Sequence, residues 1–282
     1  NKFSKCYRFT DINYAVASRA DKEAMFLEYS ELLNSFDTGA TTKITILNRR
    51  LNKVDFEKNI LLPLAEDNLD EYRKEYNKML LDKGTGANGI TQEKFLTISV
   101  NKKSVEEARN YFGRIGADLS AHFSQLGSKC IELDAVDRLR MFHDFYRAGE
   151  ENSFTFDFIQ NMRKGHSFKD FICPDTMEFE SDYFKMGNKY GRVIFLKEYA
   201  SYIKDNMVAE LTDLNRNMMM SIDVVPVPMD EAVREVENRR LGVETNITNW
   251  QRRQNSNNNF SAVIPYDLEQ QRIESKEFLD DL

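Results

Sequence analysis

The chain of 282 residues is long enough to bury a substantial core, as one large domain or as two of ordinary size. Apolar residues make up 41% of it and charged residues 30%, which excludes a low-hydrophobicity disordered chain. The net charge of -7 argues against a protein devoted to nucleic-acid binding, because such proteins gain affinity mainly by placing Lys and Arg against phosphates. The sequence contains neither a long apolar run nor a signal-peptide pattern, so it predicts a soluble chain.

The three cysteines, Cys6, Cys130 and Cys173, are odd in number and far apart, and none has the CxxC spacing of a metal site. This usage predicts reduced thiols in a cytoplasmic compartment, buried as small apolar side chains. The chain begins with Asn1, and its last residues continue a helical pattern to Leu282 without a stop signal. We therefore expect both ends to lie inside a longer protein.

Residues 1–148 are predicted to form a first α+β subdomain, because strand and helix patterns alternate along them. Residues 95–100 alternate cleanly between apolar and polar side chains, which predicts a strand with one buried and one solvated face. Helices are expected to cover one face of the resulting sheet. The predicted elements are strands at 5–16, 43–48, 95–100 and 129–133, helices at 67–81 and 135–146, and two further helices capped by Asp21 and Ser104.

The helix that begins after Ser104 carries the clearest apolar stripe. Glu107 lies three positions after Ser104, as in a capping box, where two side chains accept hydrogen bonds from backbone N–H groups of the first turn. The residues expected to face the core recur at helical spacing, and they are Val105, Ala108, Phe112, Ile115, Leu119 and Phe123.

A polar stretch at 147–152 precedes a second predicted α+β subdomain, residues 149–228. Met218, Met220 and Ile222 share one face at period two, so the methionine run is predicted to be the buried face of a strand rather than a soft-metal site. The elements expected in this part are strands at 177–179, 183–186, 190–196 and 217–224 and a helix at about 204–214.

A helical tail is predicted for residues 229–282, with an Asn-rich breaker at 254–259 and a second helix at 267–282. The first tail helix carries a candidate interaction seam, in which residues recur at spacings of three and four and only an arginine interrupts the apolar run. We expect this seam to pack against another element, another subunit or a part of the protein beyond this chain. Its members are Val233, Val236, Arg240, Val243, Ile247 and Trp250.

The glycine-rich segment at 84–89 is the sequence feature nearest to a phosphate-binding loop. It follows a predicted helix, precedes a predicted strand and lacks a Lys-Ser/Thr after its last glycine, so a plain turn is predicted. The histidines His122, His143 and His166 form no metal-binding pair. In a helix, the side chains of His143 and Asp144 point about 100° apart, so catalysis by this pair is not predicted.

No catalytic, cofactor-binding or metal-binding residue is therefore predicted in this chain. Short basic pairs are expected to be solvated charge rather than contacts to DNA. These pairs are Arg49-Arg50, Arg239-Arg240 and Arg252-Arg253.

Six segments, taken in order, resemble the N-terminal region of conjugative transfer ATPases from integrative conjugative elements of Gram-positive bacteria. This is the VirB-four-like or TraE-like class of type IV secretion ATPases. The similarity spans almost the entire chain, and it depends on the order and spacing of the segments together. They read FTDINYAVA, SFDTGATTKITILNRR, EYRKEYNKMLLDKGTGANGITQEKFLTISV, SFKDFICPD, FKMGNKYGRVIFL and AVIPYDLEQQ.

The resemblance implies an N-terminal α+β domain that precedes a RecA-like ATPase domain, which is where ATP and Mg²⁺ are expected to bind. The Walker A pattern GxxxxGK[ST] is absent from this chain, so no catalytic residue is carried over. The fragment is therefore expected not to be an enzyme, although the resemblance implies that its full-length parent is an ATPase. One departure from the family is the stretch NITNWQRRQNSNNN, where family members have a Lys-rich helix.

The family also implies partners and a location. The expected partners are inner-membrane subunits of the conjugation channel, the protein's own ATPase domain and other copies of the full-length protein, without direct contact to nucleic acid. The expected location is cytoplasmic, peripheral to the cytoplasmic face of the membrane. Two alternatives remain open: a hydrolase acting on nucleic acid, with a site assembled from distant residues, and an electrostatic nucleic-acid clamp, which requires a basic stripe.

Overall fold

The computed structural model describes residues 1–50, 60–86, 89–198, 206–257, 259 and 262–280, and these residues form helices packed on antiparallel sheets. The α+β class predicted from the sequence is confirmed. In chain order the elements are β1 (Lys2–Phe9), α1 (Arg19–Asn34), β2 (Ala40–Arg50), α2 (Asp70–Gly86), β3 (Ile90–Asn101), α3 (Val105–Gln125), β4 (Cys130–Leu133), α4 (Ala135–Tyr146), α5 (Phe158–Lys164), β5 (Met177–Phe179), β6 (Phe184–Met186), β7 (Lys189–Gly191), α6 (Met207–Thr212), β8 (Met218–Val224), α7 (Met229–Ser256) and α8 (Tyr266–Asp280).

Several predicted boundaries differ from these bounds. The first strand ends at Phe9, so residues 10–16 are not part of it. Helix α1 is capped by Ser18, whose hydroxyl accepts a hydrogen bond from the backbone N–H of Asp21, so Asp21 lies inside the first turn rather than at the cap. Parts of the predictions at 84–89, 204–214, 254–259 and 267–282 fall on residues outside the described ranges.

The main sheet has five strands in the order β4-β1-β3-β2-β8, and every neighbouring pair is antiparallel. Its last strand, β8, pairs with β2 so that Ile222 lies opposite Ile44. The prediction that residues 217–224 belong to a second subdomain's sheet is therefore wrong. A period-two pattern identifies the buried face of a strand, but it does not identify the neighbouring strand.

A buried amide helps to hold the chain before β8 against this sheet. The side-chain N–H of Asn48, on β2, donates to the backbone carbonyl of Thr212 at 2.6 Å. The oxygen of the same amide accepts a hydrogen bond from Gln92 on β3 at 3.0 Å. Because Asn48 is almost fully buried, these bonds satisfy polar atoms that water cannot reach.

Helices cover both faces of the main sheet. Phe95, on β3, packs with Cys6, Leu47 and Met141, which belongs to α4. Its neighbour Leu96 points to the opposite face, where α1 and α3 lie. The prediction of one solvated face and of helices on a single face is therefore wrong. The sequence did indicate a second buried face, because Phe95, a large aromatic residue, lies on the side predicted to be solvated.

Helix α3 confirms its predicted stripe with one exception. The side chain of Ser104 accepts a hydrogen bond from the backbone N–H of Glu107, and the Glu107 carboxylate accepts one from the backbone of Lys103. Val105 is exposed rather than buried, because it lies in the first turn beyond the edge of the core. The five other members are buried, and they are Ala108, Phe112, Ile115, Leu119 and Phe123.

A second, small sheet has the order β5-β6-β7. Its last strand was predicted to continue to residue 196, but it ends at Gly191. Gly191 pairs with Phe184, which is the first residue of β6. The chain therefore passes the end of its neighbour, and residues 192–196 have no ladder partner within the described part of the protein.

We expect Gly191→Ala to weaken this small sheet. An added Cβ would lie 2.3 Å from the Phe184 ring, so the ring must move. Overpacking of this kind costs about 1–3 kcal/mol, so amide exchange across residues 177–191 should quicken roughly tenfold or more. Hydrogen exchange measured by mass spectrometry tests this. Gly113→Ala is the control, because open space surrounds Gly113 and alanine favours its helix; equal exchange in both variants would contradict the packing argument.

The described residues divide into two compact units. Residues 1–35 and 40–224 form the first, and residues 36–39 and 225–282 form the second. The boundary predicted at residue 148 does not coincide with this division, since residues 149–224 belong to the first unit. Helices α7 and α8 of the predicted helical tail both lie in the second unit and run alongside each other, with Arg272 of α8 bonded to Glu244 of α7 at 2.8 Å.

Candidate functional site

The predicted interaction seam on α7 is largely covered within the chain. Three of its members are buried, Val236, Val243 and Ile247, whereas Arg240 is exposed and does not belong to the buried stripe. The two remaining members, Val233 and Trp250, are half-buried. Most of the seam is therefore not a free surface. Its role as an interface with another subunit stays a prediction.

The side chains best placed to meet a partner lie instead on α5, in the first unit. Asp157 caps this helix through the backbone N–H of Gln160, and Gly165 ends it in the left-handed conformation, with a φ of 69°. Phe158, Ile159 and Met162 fall on one face of the helix and are all exposed, Met162 to 72%.

The opposite face of α5 lines an open polar cleft. Gln160, Asn161 and Lys164 face this cleft together with His166 and Asp170. The helix thus presents its polar face to a cleft and its apolar face to solvent, the reverse of the usual arrangement for a surface helix. This inversion marks the apolar face as a surface that a partner can cover.

More exposed apolar side chains follow in the same part of the chain. We call residues 158–196 the exposed apolar stretch, because most of its large apolar side chains face solvent. Sequence reasoning missed it: strands were predicted at 177–179, 183–186 and 190–196, and no element was predicted at 158–164. The available signal was the density of aromatic residues in elements too short to bury them. Its most exposed members are Phe158, Ile159, Met162, Phe179, Tyr190, Val193, Ile194 and Phe195.

A buried polar cluster lies between the main sheet and α4. Arg49, on β2, donates to Glu93 on β3 and to Asp144 on α4, each at 2.7 Å. The prediction that Arg49 belongs to a solvated basic pair is therefore wrong for Arg49. Side chains alternate along β2, so the side chain of Arg49 points towards α4. The side chain of Arg50 points the other way; it is exposed and donates a hydrogen bond to the backbone carbonyl of Asn215.

His143 joins this cluster. Its Nδ1 lies 3.2 Å from Asp144 Oδ1, so the two side chains meet even though they leave the helix in different directions. The imidazole is 3% exposed and packs edge-on against Phe154 at 5.0 Å between ring centroids. Both side chains are buried, and through Arg49 the pair connects β2, β3 and α4.

An apolar cavity of about 350 Å³ lies on the other face of the sheet, between α1, α3 and the end of β1. Its walls include Phe9, Met25, Tyr29 and Phe123, and burial raises the pKa of the Tyr29 hydroxyl. Such a space suits an apolar side chain or a small apolar molecule better than it suits acid–base chemistry.

The glycine-rich segment is not a phosphate-binding loop in the part that is described. Helix α2 continues through Gly84 to Gly86, and Gly89, with a φ of 56°, turns the chain into β3. Residues 87–88 lie outside the described ranges. Within those ranges, no group of three or more His, Cys, Asp or Glu side chains is arranged to hold a metal ion.

The three cysteine thiols are expected to differ in reactivity. Cys173 is exposed, Cys6 is buried, and burial raises the pKa of Cys130 to about 11. Burial raises the pKa of Cys6 as well. Since the thiolate is the reactive form, roughly one Cys130 thiol in a thousand is ionised at about pH 8.

We expect a thiol reagent at that pH to modify Cys173 first in the native protein, the half-buried Cys130 much more slowly, and the buried Cys6 only after unfolding. Peptide mass mapping after a timed reaction measures the order. Cys173→Ser should abolish the fast phase. A fast phase that survives this change would show that a second thiol is accessible. Raising the pH should accelerate the reaction of Cys130, because deprotonation is what limits it.

The comparisons with known proteins give no family for this chain. A scan against protein-family models finds no match, and a search of curated proteins finds no significant relative. No helix in the described ranges is both long and apolar enough to cross a membrane.

Proposed function

We propose that this chain is a docking and assembly module of a conjugative type IV secretion ATPase, N-terminal to the ATPase domain. The observation that carries the proposal is the exposed apolar stretch, residues 158–196, above all the outward apolar face of α5. The resemblance of six segments, in the same order, to conjugative transfer ATPases is the reason for proposing this secretion system. In this proposal ATP and Mg²⁺ bind in the ATPase domain, and this module makes protein contacts.

The physical basis is the free energy gained by removing apolar area from water. Phe158, Ile159 and Met162 present neighbouring apolar side chains on a single helix face. Interfaces draw most of their affinity from a few such central residues, with aromatic residues prominent among them. The proposed partners are inner-membrane subunits of the conjugation channel, which would hold the module at the cytoplasmic face of the membrane. The net charge of -7 favours protein over nucleic acid as the partner.

The family assignment is tested by the native reading frame. We expect the codons after Leu282 to encode, within a RecA-like domain, a GxxxxGK[ST] sequence and a strand ending in an acidic Walker B residue. A stop codon soon after Leu282 would remove the ATPase part of the proposal.

The docking surface is tested by co-purification with each inner-membrane subunit of the channel. Ile159→Lys combined with Met162→Lys places two charges on the α5 face and should weaken capture by about tenfold or more, without lowering stability. Leu27→Lys is the matched control, because Leu27 is comparably exposed on α1, outside the stretch. Equal capture of both variants and the unmodified chain would show that the α5 face is not the docking surface.

A further inference from the structure

We propose that residues 192–198 form an intermolecular β-ribbon with the same residues of a second copy of this chain, across a two-fold axis at Phe195. We call these residues, with the sequence RVIFLKE, the β7 extension. The inference concerns self-association and does not depend on the ATPase assignment.

The extension continues an edge strand. In the small sheet β7 pairs with β6 on one side, and its other side has no strand beside it among the described residues. Beyond Gly191 the neighbouring chain turns away, where the backbone N–H of Glu180 donates to Tyr183 at 2.9 Å. Residues 193–196 therefore leave the sheet with no backbone hydrogen bond to any described residue. A strand edge of this kind is a template for another chain.

Its side chains suit a strand and are not covered. Val193, Ile194, Phe195 and Leu196 are all exposed, Ile194 to 87%. Val193, Ile194 and Phe195 are β-branched or aromatic, the types most favoured in strands. With Leu196 they make a run of four apolar residues, which natural edge strands usually interrupt with Pro or an inward charge. Here the charges lie at the ends of the run instead, at Arg192 and at Lys197-Glu198.

Charge selects both the partner and the register. In an antiparallel pair of identical segments centred on Phe195, Arg192 of each copy lies opposite Glu198 of the other, so two ion pairs form by symmetry. Ile194 then lies opposite Leu196, and the two Phe195 rings face each other. In the register displaced by one residue, Arg192 would instead lie opposite Lys197. That register is unfavourable because like charges repel.

The two-fold arrangement also closes. Each copy contributes the same surface, so the contact is the same from both sides and is satisfied in a dimer. The β7 extension therefore matches a second copy of itself, because apolar residues lie opposite apolar residues and each Arg192 lies opposite a Glu198.

Sedimentation velocity of the 282-residue chain over a wide range of concentration tests the proposal. We expect a monomer–dimer equilibrium that Arg192→Glu weakens by about tenfold or more, since each dimer then holds two repulsive pairs. Adding Glu198→Arg to the same chain should restore the dimer, because both pairs are re-formed with reversed charge. Leu27→Lys, at an exposed residue of α1 outside the exposed apolar stretch, should leave the equilibrium unchanged.

A disulfide trap fixes the register. In a Cys173→Ser background, Phe195→Cys should give a cross-linked dimer with oxidised glutathione, because the two residues lie directly opposite each other. Val193→Cys should not, since the two thiols then lie roughly 14 Å apart along the ribbon. A chain that is monomeric at every concentration, a dimer indifferent to Arg192→Glu, or equal cross-linking at positions 193 and 195 overturns the proposal. None of these outcomes bears on capture by channel subunits, which tests the proposed function separately.

Discussion

Phe95→Ala is expected to lower the free energy of unfolding by about 3–5 kcal/mol, the range found when a buried phenylalanine is truncated in a core. Phe95 is 2% exposed and packs with Cys6, Leu47 and Met141. The alanine variant loses the burial of the ring and leaves a cavity between the sheet and α4, because a strand at the centre of five cannot move to fill it. Urea unfolding followed by circular dichroism measures the loss.

The matched control is Phe179→Ala, the same substitution at a residue that is 73% exposed in the small sheet. Surface changes of this kind stay within about 0.5 kcal/mol. If the two variants lose equal stability, Phe95 does not lie in the core described above.

Arg49→Met should lower the free energy of unfolding by about 2–4 kcal/mol. The substitution keeps much of the apolar stem but leaves the carboxylates of Glu93 and Asp144 without the guanidinium that lies 2.7 Å from each. Removing one member of a buried ion pair costs about 3–5 kcal/mol, and the partial exposure of Arg49 and Glu93 reduces that figure.

Arg50→Met is the control, because it removes the same charge without disturbing the buried cluster. Arg50 is the next residue on the same strand, but its side chain is exposed, so a change within about 0.5 kcal/mol is expected. The combination Arg49→Met with Asp144→Leu should be less destabilising than the sum of the two single changes, because it removes one of the stranded carboxylates. Strict additivity would mean that the two side chains do not interact.

The sequence predicted those features of the fold that depend on one element and its nearest surroundings. The stripe of α3 was recoverable because Ala108, Phe112, Ile115, Leu119 and Phe123 recur at the helical period, and burial of that stripe does not depend on which sheet lies beneath. Helix α4 was predicted with its observed bounds for the same reason.

What the sequence did not predict depends on pairing between distant residues. The methionine pattern identified a strand at 217–224 but not its neighbour β2. The cluster around Arg49 joins residues 44 and 95 positions away, and nothing in the local sequence indicates such partners. Period and propensity are local quantities, whereas strand order and ion pairing arise from the whole chain.

The candidate surface was missed for another reason. Reading apolar residues as core is correct on average, but it fails where a protein leaves apolar side chains for a partner. The residues of α5 and the β7 extension were read as parts of a folded subdomain. Their exposure becomes evident only when the lengths of the surrounding elements are known.

The position of β8 has a consequence for how the protein is made. Thr42 of β2 bonds to the carbonyl of Val224, 182 residues later in the chain. On the ribosome, β2 therefore emerges long before the strand that completes its sheet, and its outer edge stays open while the intervening residues are synthesised. Contacts of such long range slow folding, and an open edge attracts other nascent chains. Synthesis that stops before residue 218 should yield an aggregating product rather than a smaller folded domain.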